Sequence, residues 1–360
     1  MAETAQAAGP KAKELAVLEA PAQVTSLRFS HCGRMLAAAD YEGAIRRWEF
    51  PVDPASEDAP LERELLTGHR GWATRVAWLR NGTLLSCDSW GGLMARAGLE
   101  DAAEPNWKHE EAHDGWIHAL AVSAEENLLA TAGADRMLRL WNPATGERLR
   151  EIGPLAAPLV AAALEPAGDF VVVGDAFGKL FRFETATGQA AGERELTGMH
   201  YYDRIQDVPG LFGMESSAAG LLLAYGGRPT RIQNHHGHPV VYRLNWANDA
   251  EPEVLFLQEV ENNGFVFDCA LLESDWLIAV TSGAPGNGQL LVHRPLAEKP
   301  EFLDTRMANC HALAVQPGGG RVVVAATNRN SQGNGAVRDK EGNYLPNYSP
   351  LHVFRLEQAG

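Results

Sequence analysis

Apolar and polar residues alternate along this chain in short runs, and turns rich in Gly, Asp and Pro separate the runs. Residues 24–48, 76–96 and 120–141 show the arrangement most clearly, each with an alternating run, a polar turn, an apolar run, a tight turn and a third alternating run. Alternation with a period of two over short runs is typical of β-strands. The pattern therefore predicts an all-β protein built from a repeated unit of strands.

Weaker copies of the same unit follow at residues 160–183, 221–244, 265–294 and 312–356. The second strands of the copies are largely apolar at consecutive positions. This is expected for strands that neighbouring sheets cover on both faces. These second strands are residues 36–39, 84–87, 129–132, 171–174, 222–225, 277–280 and 323–326.

The spacing of the copies indicates the architecture. The third strands end at Trp48, Arg96, Trp141, Phe183, Leu244, Arg294 and Leu356. The steps between these ends are 48, 45, 42, 61, 50 and 62 residues. A four-stranded propeller blade repeats at about 40–45 residues, so most steps fit such a blade and two carry insertions.

The third copy resembles a WD repeat. That family has a His before the first strand, Ser or Thr in the second, Asp in the next turn and Trp in the third, and the matching residues here are His113, Thr131, Asp135 and Trp141. Gly68-His69 and Trp48 add partial matches in the second and first copies. The resemblance implies one closed, seven-bladed β-propeller over residues 13–357, preceded by a flexible tail at residues 1–12.

The second copy departs from the WD pattern, with Trp90 where the Asp is expected and Arg96 where the Trp is expected. The blade itself is still predicted, but its internal hydrogen bonds are not expected to follow the pattern.

Ring closure makes a further prediction. A fourth, outer strand is plausible after six of the copies, at residues 62–66, 106–110, 148–152, 193–197, 253–259 and 301–304. The seventh copy is followed by too few residues for such a strand, whereas the alternating residues 14–18 have no other assignment. We expect residues 14–18 to complete the seventh blade and to cover a sheet edge that would otherwise be open.

Composition excludes several classes of function. The chain has 31 Lys and Arg against 46 Asp and Glu, a net charge of −15, whereas nucleic-acid binding requires a basic surface. No run is long and apolar enough for a membrane span or a signal peptide. The four cysteines are far apart and form no C-x-x-C pair, which favours reduced thiols in a cytoplasmic protein.

The resemblance also implies that the loops before the first strands and those between the second and third strands share one face, the top. The long segments 198–213, 226–239, 282–288 and 327–350 fall mostly in these loops. Long loops on a rigid scaffold often carry binding sites, although neutral loop expansion is an open alternative. Tyr201, Tyr202, Arg204 and Arg231 are the candidate contacts there, and packing of the tyrosines onto the blades is the alternative for them.

Two further sets of residues map to the top face. Trp72 and Trp116 follow matching Gly-containing segments before the first strands of copies two and three, and they are predicted either to pack at the rim or to contact a partner. Asp40, Asp88 and Asp175 come directly after second strands. They are predicted either to cap tight turns or to form an acidic arc that attracts a basic segment of a partner.

Chemistry other than binding has little support in the sequence. His235, His236 and His238 lie within four residues, but zinc usually takes ligands from separated segments, so a metal site is the minor alternative there. No catalytic or phosphate-binding motif is found, and no cofactor is expected. The sequence thus favours a non-enzymatic, monomeric scaffold for a protein or peptide partner. A propeller that binds a small ligand or metal, or acts as an enzyme, at the channel mouth and the histidine loop is the alternative.

Overall fold

The structure is a computed structural model that describes residues 9–51, 53, 56–101, 104–203, 206–216, 221–230, 236–246, 250–260, 263–272, 275–284, 286–295, 297–328, 340–343 and 348–357. Most of the predicted tail, residues 1–8, lies outside this set. The first strand begins at Lys11, so its two leading residues fall within the segment assigned to the tail. Within the described residues, no helix is long and apolar enough to cross a membrane.

Seven four-stranded antiparallel sheets, called blades 1–7 here, make up the fold. Blade 1 consists of β2 (Val24–Phe29), β3 (Met35–Asp40), β4 (Ile45–Glu49) and β5 (Leu61–Glu62). Blade 2 consists of β6 (Ala73–Trp78), β7 (Thr83–Asp88), β8 (Leu93–Ala97) and β9 (Pro105–His109). Blade 3 consists of β10 (Ile117–Val122), β11 (Leu129–Gly133), β12 (Leu138–Trp141) and β13 (Arg148–Ile152). Blade 4 consists of β14 (Leu159–Leu164), β15 (Phe170–Asp175), β16 (Lys179–Glu184) and β17 (Ala190–Glu195).

The remaining blades carry the insertions. A hairpin, β18 (His200–Asp203) and β19 (Gln206–Pro209), precedes blade 5. Blade 5 consists of β20 (Leu211–Ser216), β21 (Leu222–Pro229), β22 (Gly237–Leu244) and β23 (Glu253–Leu257). Blade 6 consists of β24 (Phe265–Leu271), β25 (Leu277–Ser282), β26 (Gly288–His293) and β27 (Phe302–Asp304). Blade 7 consists of β28 (Ala308–Val315), β29 (Arg321–Thr327), β30 (Ser349–Glu357) and β1 (Lys11–Ala20).

The blades close into a ring. Each inner strand contacts the inner strands of the blades before and after it, and β2 of blade 1 contacts β28 of blade 7. The predicted all-β, seven-bladed propeller is therefore confirmed. The segment 198–213 differs from its prediction as a loop, because it contains the hairpin β18–β19 and the first residues of the inner strand of blade 5.

The predicted closure of blade 7 is also confirmed. Strand β1 pairs with β30 in an antiparallel register that runs from Lys11 opposite Glu357 to Ala20 opposite Ser349. The Glu14 carboxylate lies 2.6 Å from Nδ1 of His352 across this pair. The last strand edge of the ring is thus covered by a strand from the other end of the sequence.

The hydrophobic core is divided among the seven junctions between neighbouring blades. Each junction holds one cluster of buried apolar side chains. In β3, Leu36 and Ala38 pack toward blade 7, whereas Met35, Ala37 and Ala39 pack toward blade 2. Successive side chains of a strand point to opposite faces, so an apolar middle strand serves two junctions at once.

Buried arginines donate hydrogen bonds across some of these junctions. The Arg47 side chain is fully buried and donates to the carbonyls of Gly98 and Glu100 in the next blade, each at 2.7 Å. In the same way Arg321 of blade 7 donates to the carbonyl of Ser56, which follows blade 1's β4, at 2.8 Å. Charged hydrogen bonds to these loop carbonyls make the buried cations tolerable.

Blade 3 contains the complete hydrogen-bond network that the WD pattern implies. His113 bonds Asp135 through Nδ1 at 2.9 Å and the Thr131 hydroxyl through Nε2 at 2.8 Å, and Trp141 Nε1 donates to the same hydroxyl at 2.8 Å. Burial acts to raise the pKa of Asp135, but the hydrogen bonds from His113 and Arg139 outweigh it and hold that pKa well below its usual range.

Blade 2 builds most of the same network with different residues. His69 contacts Asp88 at 2.9 Å and the Ser86 hydroxyl at 2.8 Å. Asp88 is thus the partner of His69 in this blade, although the WD pattern expects the Asp at the position of Trp90. Arg96, in the place of the Trp, is buried and donates to the sulfur of Met94.

Deleting residues 1–20 is expected to lower the melting temperature by more than about 10 °C, because β30 loses its partner and blade 7 an outer strand. Circular dichroism melting measures this. The exposed Lys13 on the same strand provides the control, since Lys13→Ala leaves the backbone pairing in place. A deletion variant that melts with the full chain would show that β1 does not close the ring.

Candidate partner-binding site

The top end of the channel is shaped by a β-bulge in every inner strand. In six of the strands the register with the second strand skips one residue near the start, and in β28 it skips two. The skipped residues are Thr25, Thr74, His118, Val160, Phe212, Phe267 and, in β28, Asn309 and His311, of which His311 lies at the position that corresponds to the others. A bulge redirects its side chain, so one residue per blade is re-aimed at the same level of the ring.

The bulge residues of blades 1 and 2 join neighbouring blades. The Thr25 hydroxyl donates to the carbonyl of Ala73, and the Thr74 hydroxyl donates to the carbonyl of Ile117, both at 2.7 Å. The bulge residues of the other blades are mostly aromatic and, like Thr25 and Thr74, line the channel. The same backbone device therefore both holds the ring together and supplies its lining.

One arc of aromatic side chains crosses the top of blades 1 to 3. The ring of Tyr41 stacks on that of Trp72 with centroids 4.6 Å apart, and Trp72 meets Trp116 edge to face at 5.4 Å. Trp116 lies in turn 5.5 Å from the imidazole of His118. Trp72 and Trp116 do pack against each other, yet they keep 43% and 38% of their surface exposed.

A second arc lies on the inner strands of blades 5 to 7. Phe212 and Phe267 have ring centroids 4.7 Å apart, and Phe267 and His311 are 5.0 Å apart. Both arcs line one cavity of about 200 Å³ at the top mouth. The mouth is therefore an aromatic funnel, which suits the apolar part of a ligand or side chain.

The channel narrows below this funnel. Arg28, Arg75, His118 and Tyr225 line the top cavity and also a second cavity of about 160 Å³ beneath it. Arg28 of blade 1 reaches across to Glu215 of blade 5 and to Asp268 of blade 6.

The two carboxylates at this constriction are already engaged. Asp268 accepts from Arg28 at 3.0 Å and from the backbone N–H of Leu313 at 3.1 Å. Burial raises the pKa of Glu215 in spite of the adjacent Arg28 guanidinium.

The three predicted acidic positions are buried and serve their own turns. Asp40 accepts from the backbone N–H groups of Glu42 and Ala44 and from Arg46, at 2.9–3.0 Å. Asp175 accepts from the N–H groups two and four residues later, at 2.9 and 3.0 Å. Asp88 does the same and also bonds His69. The turn interpretation accounts for these carboxylates, and they do not form an exposed arc because at most 4% of each is accessible.

The first of the long segments predicted to form a wall, residues 198–213, contains the hairpin β18–β19. His200 contacts Asp207 across the hairpin at 2.6 Å, and its ring lies 4.6 Å from that of Phe177 in blade 4. Tyr202 is 68% exposed on this hairpin, whereas Tyr201 is partly buried. Arg204 and Arg231, the other two predicted contacts, lie outside the described residues.

The histidine-rich loop is only partly described. His235 lies outside the described residues, His236 directly precedes β22, and His238 is in β22 opposite Arg228. In the part of the chain that the structure covers, no group of three or more His, Cys, Asp or Glu side chains is arranged to hold a metal ion.

Sequence reasoning missed several lining residues. Tyr41, Arg75, Phe212, Phe267 and His311 were not singled out, although a signal exists for Tyr41. The turns after β3, β7 and β15 each carry an aromatic residue one or two places after the Asp, in the strings D-Y-E-G, D-S-W-G and D-A-F-G. The bulges that aim the other residues have no signature of their own in the alternation.

The architecture defines the class of the protein, a closed seven-bladed β-propeller with an aromatic top mouth. Residues 12–49 and 107–142 match the family model described as WD domain, G-beta repeat. Two segments of the chain thus match WD repeats by sequence, and blade 3 carries the complete tetrad. Each matched segment spans the outer strand of one blade and the first three strands of the next.

Similar proteins extend this result over parts of the chain. "Protein transport protein SEC13" of Chaetomium thermophilum is 30% identical over 114 residues, which are 30% of this chain and 36% of that protein. "Protein hir1" of Schizosaccharomyces pombe is 26% identical over 170 residues, 41% of this chain and 18% of that protein. "Telomerase protein component 1" of Rattus norvegicus is 31% identical over 163 residues, 44% of this chain and 6% of that protein. The matches thus span about a third or less of each relative.

Asp88→Ala is expected to lower the free energy of unfolding by about 1–3 kcal/mol, because His69 and several turn N–H groups lose a buried acceptor. Burial opposes ionisation of Asp88, but the bond to His69 and those to the turn outweigh it and lower its pKa to about 2. Urea unfolding at pH 7 measures the change. Asp114→Ala, at an exposed side chain, is the control. If Asp88→Ala leaves the stability unchanged but abolishes binding of a partner, the turn interpretation is wrong and Asp88 contacts the partner.

Acid is expected to destabilise the fold through the mouth histidines. Burial lowers the pKa of His118 to about 4, with Arg75 and His113 adding to the effect, and burial alone lowers that of His311 to about 4. Both imidazoles have a pKa of about 6.5 in the unfolded chain. The unfolded state therefore binds more protons between about pH 6.5 and 4, and stability falls as pH falls through this window.

The melting temperature should thus drop between pH 7 and pH 5, and His311→Phe should make that drop smaller. The replacement ring keeps the contact with Phe267 but takes up no proton. Equal slopes for the wild type and the variant would contradict the assignment.

Proposed function

We propose that the protein is a non-enzymatic scaffold that binds a protein or peptide partner at the top mouth of its channel. The observation that carries this proposal is the exposed, mutually packed set of rings of Tyr41, Trp72 and Trp116, called the aromatic rim here. Large aromatic side chains that stay exposed on a rigid scaffold are typical of interaction surfaces. The rings support one another and lose little conformational freedom on binding, which favours affinity.

The relatives support partner binding in general terms. One of them is by name a component of telomerase and another a protein transport protein. We infer that this propeller, like a named component of a larger assembly, works through contacts with another macromolecule.

The wall beside the mouth is proposed as a second contact area. Tyr202 projects from the hairpin β18–β19, and Tyr201 precedes it on the same strand. Arg204 and Arg231 belong to this part of the proposal on sequence grounds only. A net charge of −15 favours approach of a partner with a basic segment, and this rests on the whole-chain charge, since Asp40, Asp88 and Asp175 are buried.

We also propose that the protein works as a single copy in the cytoplasm. The outer strands of blades 1 to 6 span only two to six residues, so each leaves only a short sheet edge for pairing with a second chain. All four cysteines are free thiols, and three of them are buried, an arrangement typical of a reducing compartment.

Replacing the aromatic rim should abolish partner capture. The double variant Trp72→Ala with Trp116→Ala should retain less than about a tenth of the partner that the wild type captures from native cells, because hot-spot aromatics each contribute about 2 kcal/mol or more. Quantitative mass spectrometry of the captured proteins measures this. Leu149→Ala is the matched control, since Leu149 is 46% exposed but lies on the outer strand of blade 3.

Partner capture that is equal for the double variant and the control would refute the rim as the site. A parallel variant, Tyr201→Ala with Tyr202→Ala, tests the wall separately. Loss with this variant alone would move the site from the mouth to the hairpin.

A further inference from the structure

Among the described residues, the top mouth contains one cation, Arg75, that no carboxylate contacts directly. Arg75, on the inner strand of blade 2, lines both cavities at the constriction. Its Nη1 donates to the carbonyl of Thr74 at 2.9 Å, and among the described residues it forms no ion pair. Arg28, its counterpart in blade 1, reaches both Glu215 and Asp268. The carboxylates of the channel thus contact Arg28 directly, whereas Arg75 acts on Glu215 only at longer range, where it helps to lower the pKa of that carboxyl against the effect of burial. The Arg75 guanidinium keeps room for a carboxylate in direct contact.

The mouth also holds hydrogen-bond donors that the protein does not use. Within the described part of the chain, the indole N–H groups of Trp72 and Trp116 and the imidazoles of His118 and His311 make no hydrogen bond. Both imidazoles are neutral at pH 7 because burial lowers their pKa to about 4, and a neutral imidazole still offers one N–H. Unused donors therefore line the cavity around Arg75.

The two carboxylates at the same place, Glu215 and Asp268, are both paired with Arg28. Asp268 is 5% exposed and is engaged by Arg28 and by the N–H of Leu313. The faces of aromatic rings attract cations, but a cation entering this funnel would meet the charge of Arg75 at its base. An anion would meet that charge as an opposite partner and the free N–H groups as donors.

We propose that the partner inserts one acidic side chain, Asp or Glu, into the top cavity, where its carboxylate pairs with Arg75. This inference rests on the proposed function and specifies what the mouth recognises. The aromatic rim and the Phe212–Phe267 pair cover the aliphatic stem of the inserted residue. A cavity of about 200 Å³ suits a single side chain, so the acidic residue is an anchor within a longer contact.

This anchor is compatible with a partner that is basic elsewhere. The net charge of −15 acts at long range and affects the rate of approach, and salt screens it beyond about 8–10 Å. The pocket acts at contact distance, where Arg75 lines the cavity without a direct ion pair among the described residues. The two effects are separable, because salt weakens the first more than the second.

The test uses the full-length protein and a positional-scanning library of unmodified heptapeptides. Wild type is expected to retain peptides enriched in Asp or Glu at one position, with apolar residues beside it. Arg75→Gln should remove the acidic preference and weaken the selected peptides about tenfold or more. Arg75→Glu should replace the acidic preference by a Lys or Arg preference.

Arg148→Gln is the matched control, because it removes the same charge from an exposed residue on the outer strand of blade 3. It should bind as the wild type does, and melting curves verify that all variants fold. A preference of the wild type for Lys or Arg would overturn the inference. So would an acidic preference that survives Arg75→Gln, or selection of phosphorylated peptides alone in a matched phosphopeptide library.

Failure of the anchor and failure of the proposed function have different signatures. In one outcome, wild type selects peptides, Trp72→Ala abolishes this selection and Arg75→Gln leaves it unchanged. The mouth would then bind partners, but Arg75 would not determine which peptides bind. If Trp72→Ala also leaves selection unchanged, the mouth is not the binding site and both proposals fall.

Discussion

Closure of the ring is the constraint on which the rest of the molecule depends. A single blade has apolar side chains on both faces of its middle strands, so it is covered only when it has a neighbour on each side. Six junctions are formed by consecutive blades, but the seventh joins blade 7 to blade 1 and is completed by β1. The channel, the bulges around it and the aromatic rim keep their geometry only while this junction holds.

Repetition explains why the fold was predictable from the sequence and why the site was predictable only in part. Apolar strands such as residues 36–39 and 171–174 recur along the chain, because the middle strands of every blade are buried on both faces by neighbouring blades. Residues 14–18 could be assigned since an otherwise complete ring lacked one strand. Trp72 and Trp116 were found because each follows a similar Gly-containing segment at the same position of its repeat.

The remaining parts depend on features that alternation does not encode. A bulge shifts one residue out of the two-residue period, so the orientation of Phe212 or His311 toward the channel was not evident. Asp88 and Asp40 were ambiguous between turn and surface roles, and burial decided for the turn. The role proposed for Arg75 depends on the pairing of the channel carboxylates with Arg28. Those carboxylates belong to blades 5 and 6, about 140 residues or more further along the sequence than Arg75, so the alternation around Arg75 gives no sign of them.

The pairing of β1 with β30 has a mechanical consequence. Lys11 lies opposite Glu357, so the two strands meet at the ends that lead to the chain termini. A force that pulls these ends apart would load the ladder one hydrogen bond at a time, starting at this pair, as in opening a zip. Seven junctions together stabilise the ring against heat, whereas tension between the two ends would first break the single strand pair β1–β30.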